Sequence, residues 1–355
     1  MSAPTGMVAA AATAVVLVTG GTGLVGSAIQ EVVREAIAGS VGGVGGDSAA
    51  AAAAAATAAP LWPATASFVF VGSRNADLRD GAATRALFAR VRPTHVVHAA
   101  ATVGGLFKNL RSPVDLGRDN MLMSDSVMEA ARAHGCVLIS FLSTCIFPDK
   151  VSYPIDETML HEGPPHASNA AYAHAKRFSD VMARAYRAQH GCRFSSVVPT
   201  NIYGAHDNFN LEDAHVVPAL VHRAFLAKRD GTPFVVAGSG APLRQFVLAR
   251  DLARLALLAL FHYDEAEPLI LSVGEAQEVS IRAVAELVAA ATGLEPGQVT
   301  WDNSRADGQL KKTAANAKLL RFLAARGVAF EFTPIEAGIA ETVRWFATNF
   351  AVARK

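Results

Sequence analysis

The stretch AVVLVTGGTGLVGSAIQEVVREAI, beginning at Ala14, limits the possible folds more than any other part of the chain. A β-branched apolar run leads into a glycine cluster, and apolar residues at helical spacing follow, so the pattern predicts a strand, a tight turn and a helix. Glycine admits positive φ and lets a backbone come close to a diphosphate, which the N-terminus of the next helix stabilises. A glycine-rich turn alone can be purely structural, but the flanking strand and helix supply the context of a dinucleotide site. Gly20, Gly23 and Gly26 carry the spacing, Thr22 stands at the loop tip, and Leu24 and Val25 open the helix.

Downstream, strands and helices alternate. SFVFVGSR, THVVHAAA, VLISFLST and RFSSVVPTNIYG read as strands, while GAATRALFARV, RDNMLMSDSVMEAARAHG and AAYAHAKRFSDVMARAYRAQHG read as helices. Continuous apolar strands in such an order predict an α/β fold of Rossmann type, a doubly wound parallel sheet with helices on both faces. After Gly204 the spacing becomes irregular, which predicts a smaller, mainly C-terminal lobe over the carboxyl edge of the sheet. The expected division is a dinucleotide-binding domain over 14–204 and a mainly substrate-binding lobe over 205–355, with some segments returning to the first domain. Between Gly39 and Ala66 the composition collapses to GSVGGVGGDSAAAAAAAATAAP and its flank. With so little to bury, this tract is expected to be a mobile insertion.

Composition narrows the partners. Lys and Arg number 32 against 31 Asp and Glu, a formal net charge of +1 that supplies no general field for nucleic acid or an anionic membrane. Cys136, Cys145 and Cys192 follow neither disulfide-framework nor metal-ligand spacing, so a reducing, cytoplasmic setting and no metal are expected. No signal peptide or membrane span is read from the sequence.

The second predicted strand ends in Ser73 and Arg74, where a site for NAD usually has an acid that accepts from the ribose. A guanidinium there suits a 2′-phosphate, which favours NADPH over NADH. Asp77 and Leu78 follow at positions suited to an adenine. In YAHAK, Tyr172 and Lys176 lie four apart on one helix face. An ammonium beside a phenol is expected to lower its pKa and fit it for proton transfer. Ser143 and Cys145 sit at the end of the strand before this helix.

Together, T-G-x-x-G-x-x-G, the strand-end Ser143 and the Tyr172/Lys176 pair resemble the extended short-chain dehydrogenase/reductase family. AAATVGG, LSTCIFP, PTNIYGAHDNFN, HVVPAL and ADGQLKKTA narrow the resemblance to members that epimerise and then reduce a GDP-linked 4-keto-6-deoxy sugar. It covers Val15 to Lys355 apart from the Gly/Ala tract. The resemblance implies Cys145 as base and His215 as acid for inversion at the carbons flanking the ketone, with His206 as the competing histidine. It further implies Tyr172 as proton donor in the reduction, Ser143 polarising the carbonyl, and Lys176 holding the phenol and the cofactor. Ala99, Ala100 and Ala101 would lie along the cofactor. Thr200, Asn201, Val216, Arg223, Arg244 and Lys312 would contact the GDP-sugar, with Asp307 and Gly308 shaping the turn before Lys312. A homodimer through the two long helices is also implied.

Two positions depart from the family pattern: Lys311 stands where many members have Arg, and Ala315 where bacterial members often have Asp. A 4,6-dehydratase would need an acidic pair where this chain has Cys145 and Ile146, and a plain 4-epimerase needs neither the thiol nor His215. Another NAD(P)-dependent sugar-nucleotide epimerase or reductase is the alternative. A non-catalytic dinucleotide sensor is the remote one, since it would be expected to lose Tyr172 or Lys176.

Overall fold

The computed structural model describes residues 13–41, 61–304 and 309–355. The segment 42–60, which holds most of the Gly/Ala tract, and the pair Asp307 and Gly308 lie outside the described residues.

The glycine-turn reading translates into β1 (Val15–Thr19) followed by α1 (Leu24–Val41). The next elements are β2 (Ser67–Val71), α2 (Gly81–Val91) and β3 (His95–His98). Then come α3 (Leu106–Arg111), α4 (Pro113–Ala133), β4 (Val137–Phe141), α5 (Ala170–His190) and β5 (Phe194–Pro199). These strands form a parallel sheet in the order β2-β1-β3-β4-β5, completed by β10 (Leu269–Leu271) beyond β5. The order reverses direction between β1 and β3, which opens a crevice at the carboxyl ends of those strands.

Both faces of the sheet are covered, and this is why its strands read as unbroken apolar runs. On one face Leu87, Phe88, Val127 and Met128 pack with Leu17, Val96 and Leu138. On the other, α1 contributes Ile29, Val32 and Val33, and α7 (Ala249–His262) contributes a run from Leu255 to Leu260 that is buried throughout. Thus α7 and β10, both from the second half of the chain, complete the large sheet.

The remaining second half builds a smaller lobe. Where the spacing suggested irregular structure, the chain forms β6 (Asn201–Tyr203), α6 (Val216–Asp230), β7 (Phe234–Ala237), β8 (Leu243–Arg244) and β9 (Phe246–Leu248). After β10 it adds β11 (Val279–Ser280), α8 (Ile281–Thr292), β12 (Val299–Asp302) and α10 (Ile335–Asn349), while α9 (Ala317–Ala324) packs Leu319, Phe322 and Leu323 into the core of the large sheet. Its own core joins Phe209, Val221, Phe234, Val284, Val288 and Phe346.

One expected strand is two. RFSSVVPTNIYG breaks at Thr200: β5 stays in the large sheet, while β6 pairs with β9 in the small lobe. Pro199 has no N–H to carry the ladder onward. The Thr200 N–H then bonds to Leu271 O at 3.3 Å and the Asn201 N–H to Gln245 O at 3.2 Å, so the chain changes partner within two residues.

At the end of β3, His98 is buried, with Nδ1 2.9 Å from Thr19 Oγ1. Burial, and then the Lys176 charge, pushes its imidazole from 6.5 down to about 3. The unfolded chain therefore binds a proton below 6.5 that the folded chain refuses until about 3, and stability drains away as pH falls through that window. Relative to a His98→Gln variant, the wild type should lose about 1.4 kcal/mol per pH unit between pH 6 and 4 in denaturant titrations. A pH-independent difference between the two proteins would show that His98 protonates in place.

Candidate active site

The crevice between the large sheet and the small lobe holds a cavity of about 930 Å³. Gly20, Thr22, Gly23, Leu24 and Val25 form one end. Gly20 takes φ +71°, and a Cβ there would stand 2.8 Å from Ala100 N, so turn and β3 end meet backbone to backbone. Gly26 does not line the cavity. A Cβ on it would lie 2.3 Å from Gly20 O, so its bare Cα is what lets α1 seat directly on the turn. The first-turn amides of α1, lacking intrahelical acceptors, are thereby held at the cavity end. This cradle fits a dinucleotide diphosphate.

Ser73, Asp77, Leu78, Ala99, Ala100 and Ala101 continue the wall. Arg79 also lines it, clamped by Asp77 at 2.8 Å and Asp119 at 3.4 Å. Its hydrogen bonds hold the Asp77 carboxyl at about 2. Arg74 is exposed just outside the lining and has no polar partner among the described residues.

The middle of the cavity is formed by strand ends and by α5. Ser143, Tyr172, Lys176, Thr200 and Asn201 all line it. Asn201 is fixed by Nδ2 donating to Gln245 O at 2.8 Å, and the buried Thr200 Oγ1 has no partner among the described residues. Lys176 Nζ stands 6.0 Å from the Tyr172 ring centroid. The expected lowering of the phenol pKa is not what the structure produces. Burial dominates and pushes Tyr172 up, so the phenol keeps its proton, while burial pushes the Lys176 ammonium down to about 8.

Cys145 occupies a 3-10 turn, Thr144–Ile146, opened by Ser143, whose Oγ accepts from the Cys145 N–H at 3.4 Å. The thiol is buried directly behind the cavity wall, among Leu142, Ile146, Ala314 and Tyr172. Burial raises its pKa, and Lys312, the Ser143 hydroxyl and Lys176 pull it back, in that order. Lys312 is half-buried and acts on Cys145 from outside the cavity lining.

From the small lobe, His215 and Val216 line the cavity at the start of α6. His215 keeps open surface toward the cavity, yet the protein around it disfavours the imidazolium and lowers its pKa. The loop before it is tied across the crevice by Gly105 N–H donating to Asp213 O at 3.0 Å and by an Arg111–Asp213 ion pair at 3.0 Å. His206 faces elsewhere, bonded to Glu31 of α1 at 2.9 Å and packed on Trp345.

Three expected substrate contacts are not brought to the cavity: Lys312, already placed outside its lining, Arg223 and Arg244. Arg223 lies at a separate shallow pocket of about 280 Å³ with Leu226, Thr232 and Asp302. Arg244 donates to Leu243 O and Gln309 O, both at 2.7 Å. Conversely, Thr144, Gly104, Asp207, Asn208 and Arg354 line the cavity without having been singled out. Asp207 and Asn208 stand in the quoted motif GAHDNFN, where His206 drew the attention; Arg354 carried no sequence signal.

The model of the NAD dependent epimerase/dehydratase family matches residues 16–274, and the chain belongs to that family. Among its relatives, a GDP-L-fucose synthase of Dictyostelium discoideum is 45% identical over 341 residues, 96% of this chain and 97% of that protein. A probable GDP-L-fucose synthase of Drosophila melanogaster is 46% identical over 348 residues, 96% of this chain and 99% of that one. A crystal structure of a GDP-L-fucose synthetase from Naegleria fowleri bound to NADP superposes with a TM-score of 0.84 at 44% identity, covering 96% of this chain and 95% of that one.

The placement of Lys312 has a measurable consequence. Lys312→Met should move the pH midpoint of Cys145 alkylation, followed by peptide mass spectrometry, upward, because the cation favouring the thiolate is gone. An unchanged midpoint would disconnect the two residues.

Proposed function

We propose that this protein converts GDP-4-keto-6-deoxy-D-mannose to GDP-L-fucose, inverting C3 and C5 and then reducing C4 with NADPH. The observation that carries this reading is the convergence of two residue sets on one cavity. Ser143, Tyr172 and Lys176 stand on the sheet side, with Cys145 directly behind Ser143, and His215 reaches the same cavity from the small lobe. The relatives named above, at 45% and 46% identity over nearly the whole chain, support the same reaction.

The C4 ketone acidifies the protons on C3 and C5. Cys145 takes a proton from one side once Lys312 and Lys176 favour its thiolate. His215 delivers one from the opposite side; Cys145 then returns its proton to water and His215 regains one, and the same pair inverts the second carbon. Gly20, Thr22, Gly23, Leu24, Val25, Ala99, Ala100, Ala101 and Lys176 would hold NADPH, with Arg74 available to its 2′-phosphate, and the bound cofactor would supply the reducing hydride for C4. Ser143 donates a hydrogen bond to the developing alkoxide, and Tyr172, which burial keeps protonated, gives it its proton. Lys176 then offsets the charge left on the phenolate. Thr200 and Asn201 orient the sugar.

Purified protein given GDP-4-keto-6-deoxymannose should oxidise NADPH and yield GDP-L-fucose by NMR. Cys145→Ser should leave little fucose or a partly epimerised sugar, and Tyr172→Phe should slow turnover by about 10²–10⁴. A wild type that leaves NADPH untouched would overturn the assignment.

The protein is also proposed to act as a homodimer in the cytosol. Val114 and Met121 of α4 and Phe178 and Val181 of α5 are exposed apolar side chains on two helices that pack together, a face suited to a four-helix contact. All three cysteines are free, and no described helix is long and apolar enough to cross a membrane. Light scattering should give a dimer mass, and Phe178→Arg with Val181→Asp should give a monomer; a wild-type monomer at micromolar concentration would remove the proposal.

A further inference from the structure

Asp207 and Arg354 both line the cavity, and the reaction above uses neither. Asp207 is 4% exposed and lines the cavity. Its Oδ1 accepts from the Asn208 N–H at 2.7 Å, while Oδ2 is buried without a hydrogen-bond partner among the described residues. An orphaned carboxylate oxygen at that depth is costly and calls for a donor or a cation. Burial lifts this carboxyl to about 7, and the Asn208 amide and then the Arg354 charge work against the rise.

Arg354 comes from the segment beyond α10. That segment is docked rather than loose: Phe209 N–H donates to Arg354 O at 2.8 Å, and the neighbouring Ala353 is buried in the small-lobe core. Two arginines line the cavity. Arg79 is already clamped by Asp77 and Asp119, whereas Arg354 has no carboxylate within ion-pair distance among the described residues. Asp213, the carboxylate nearest His215 in sequence, is taken by Arg111. A cavity that accepts two phosphorylated nucleotides thus presents one guanidinium that no carboxylate has claimed.

We propose that Arg354 binds a phosphate group of a nucleotide in this cavity. The ligand chemistry is a diphosphate ester, and the two sources are NADPH and the GDP moiety of the sugar nucleotide. The inference rests on the function proposed above only in naming these two ligands.

Equilibrium binding of NADPH and, separately, of GDP to the full chain distinguishes them. Arg354→Ala should weaken one of the two by about ten- to a hundredfold, the range of a charge-assisted contact, and Arg354→Lys should recover part of the loss. Whichever nucleotide is affected is the source of the phosphate. Wild-type affinity of Arg354→Ala for both nucleotides, within about twofold, overturns the proposal. Because the readout is binding and not turnover, failure of the fucose-forming reaction and failure of this inference are separate results.

Discussion

The contact between Gly26 and the turn residues Gly20 and Gly21 governs how everything else can be arranged. With no Cβ at Gly26, the first turn of α1 lies against the backbone it has just left, and a methyl group there would need the space of Gly20 O. That seating points the free amides of α1 into the crevice where the sheet order reverses. Ala100 closes the other side of the same turn, so near that a Cβ on Gly20 would stand 2.8 Å from its N, and β1, β3 and α1 meet there backbone to backbone. A site built this way is pre-organised, because no side chain has to order itself for the diphosphate to bind.

Around that rigid floor, burial sets the protonation states. The phenol of Tyr172 and the thiol of Cys145 are pushed up, and the Lys176 ammonium and the His215 imidazole are pushed down, each chiefly by desolvation. Every one of these groups is thus biased toward its neutral form in the protein by itself. A neutral Tyr172 is a ready proton donor, whereas Cys145 needs its cations, and Lys312 ranks first among them. The expectation drawn from YAHAK took the ammonium to be the stronger influence on the phenol. Four-residue spacing puts the two groups on one face but says nothing about how much water reaches them.

Much of the large sheet was legible because its rules are local: β-branched runs, glycines at fixed spacing, helical periodicity. Ser143, Tyr172, Lys176 and the glycine turn could be placed from spacing and context. The small lobe was harder to read. Its strands are two to four residues long, and its pairs, such as β12 with β7 and β6 with β9, join segments far apart in sequence. The break at Thr200 was invisible for the same reason, since both halves of RFSSVVPTNIYG are apolar and only the partner strand changes. Arg354 had no pattern around it, and its nearness to Asp207 arises solely from how α10 and the segment after it pack against Phe209.

The same break at Thr200 bears on inheritance. The chain crosses from the large sheet to the small lobe between β5 and β6, returns between β9 and α7, departs after β10, and returns once more at α9 before α10 closes the small lobe. No single cut separates the two lobes. A recombination event that exchanged one contiguous segment could not replace the small lobe while preserving the sheet, because α7 and β10 would go with it. A chain threaded this way carries its two lobes as one unit, and the small lobe can be altered only residue by residue.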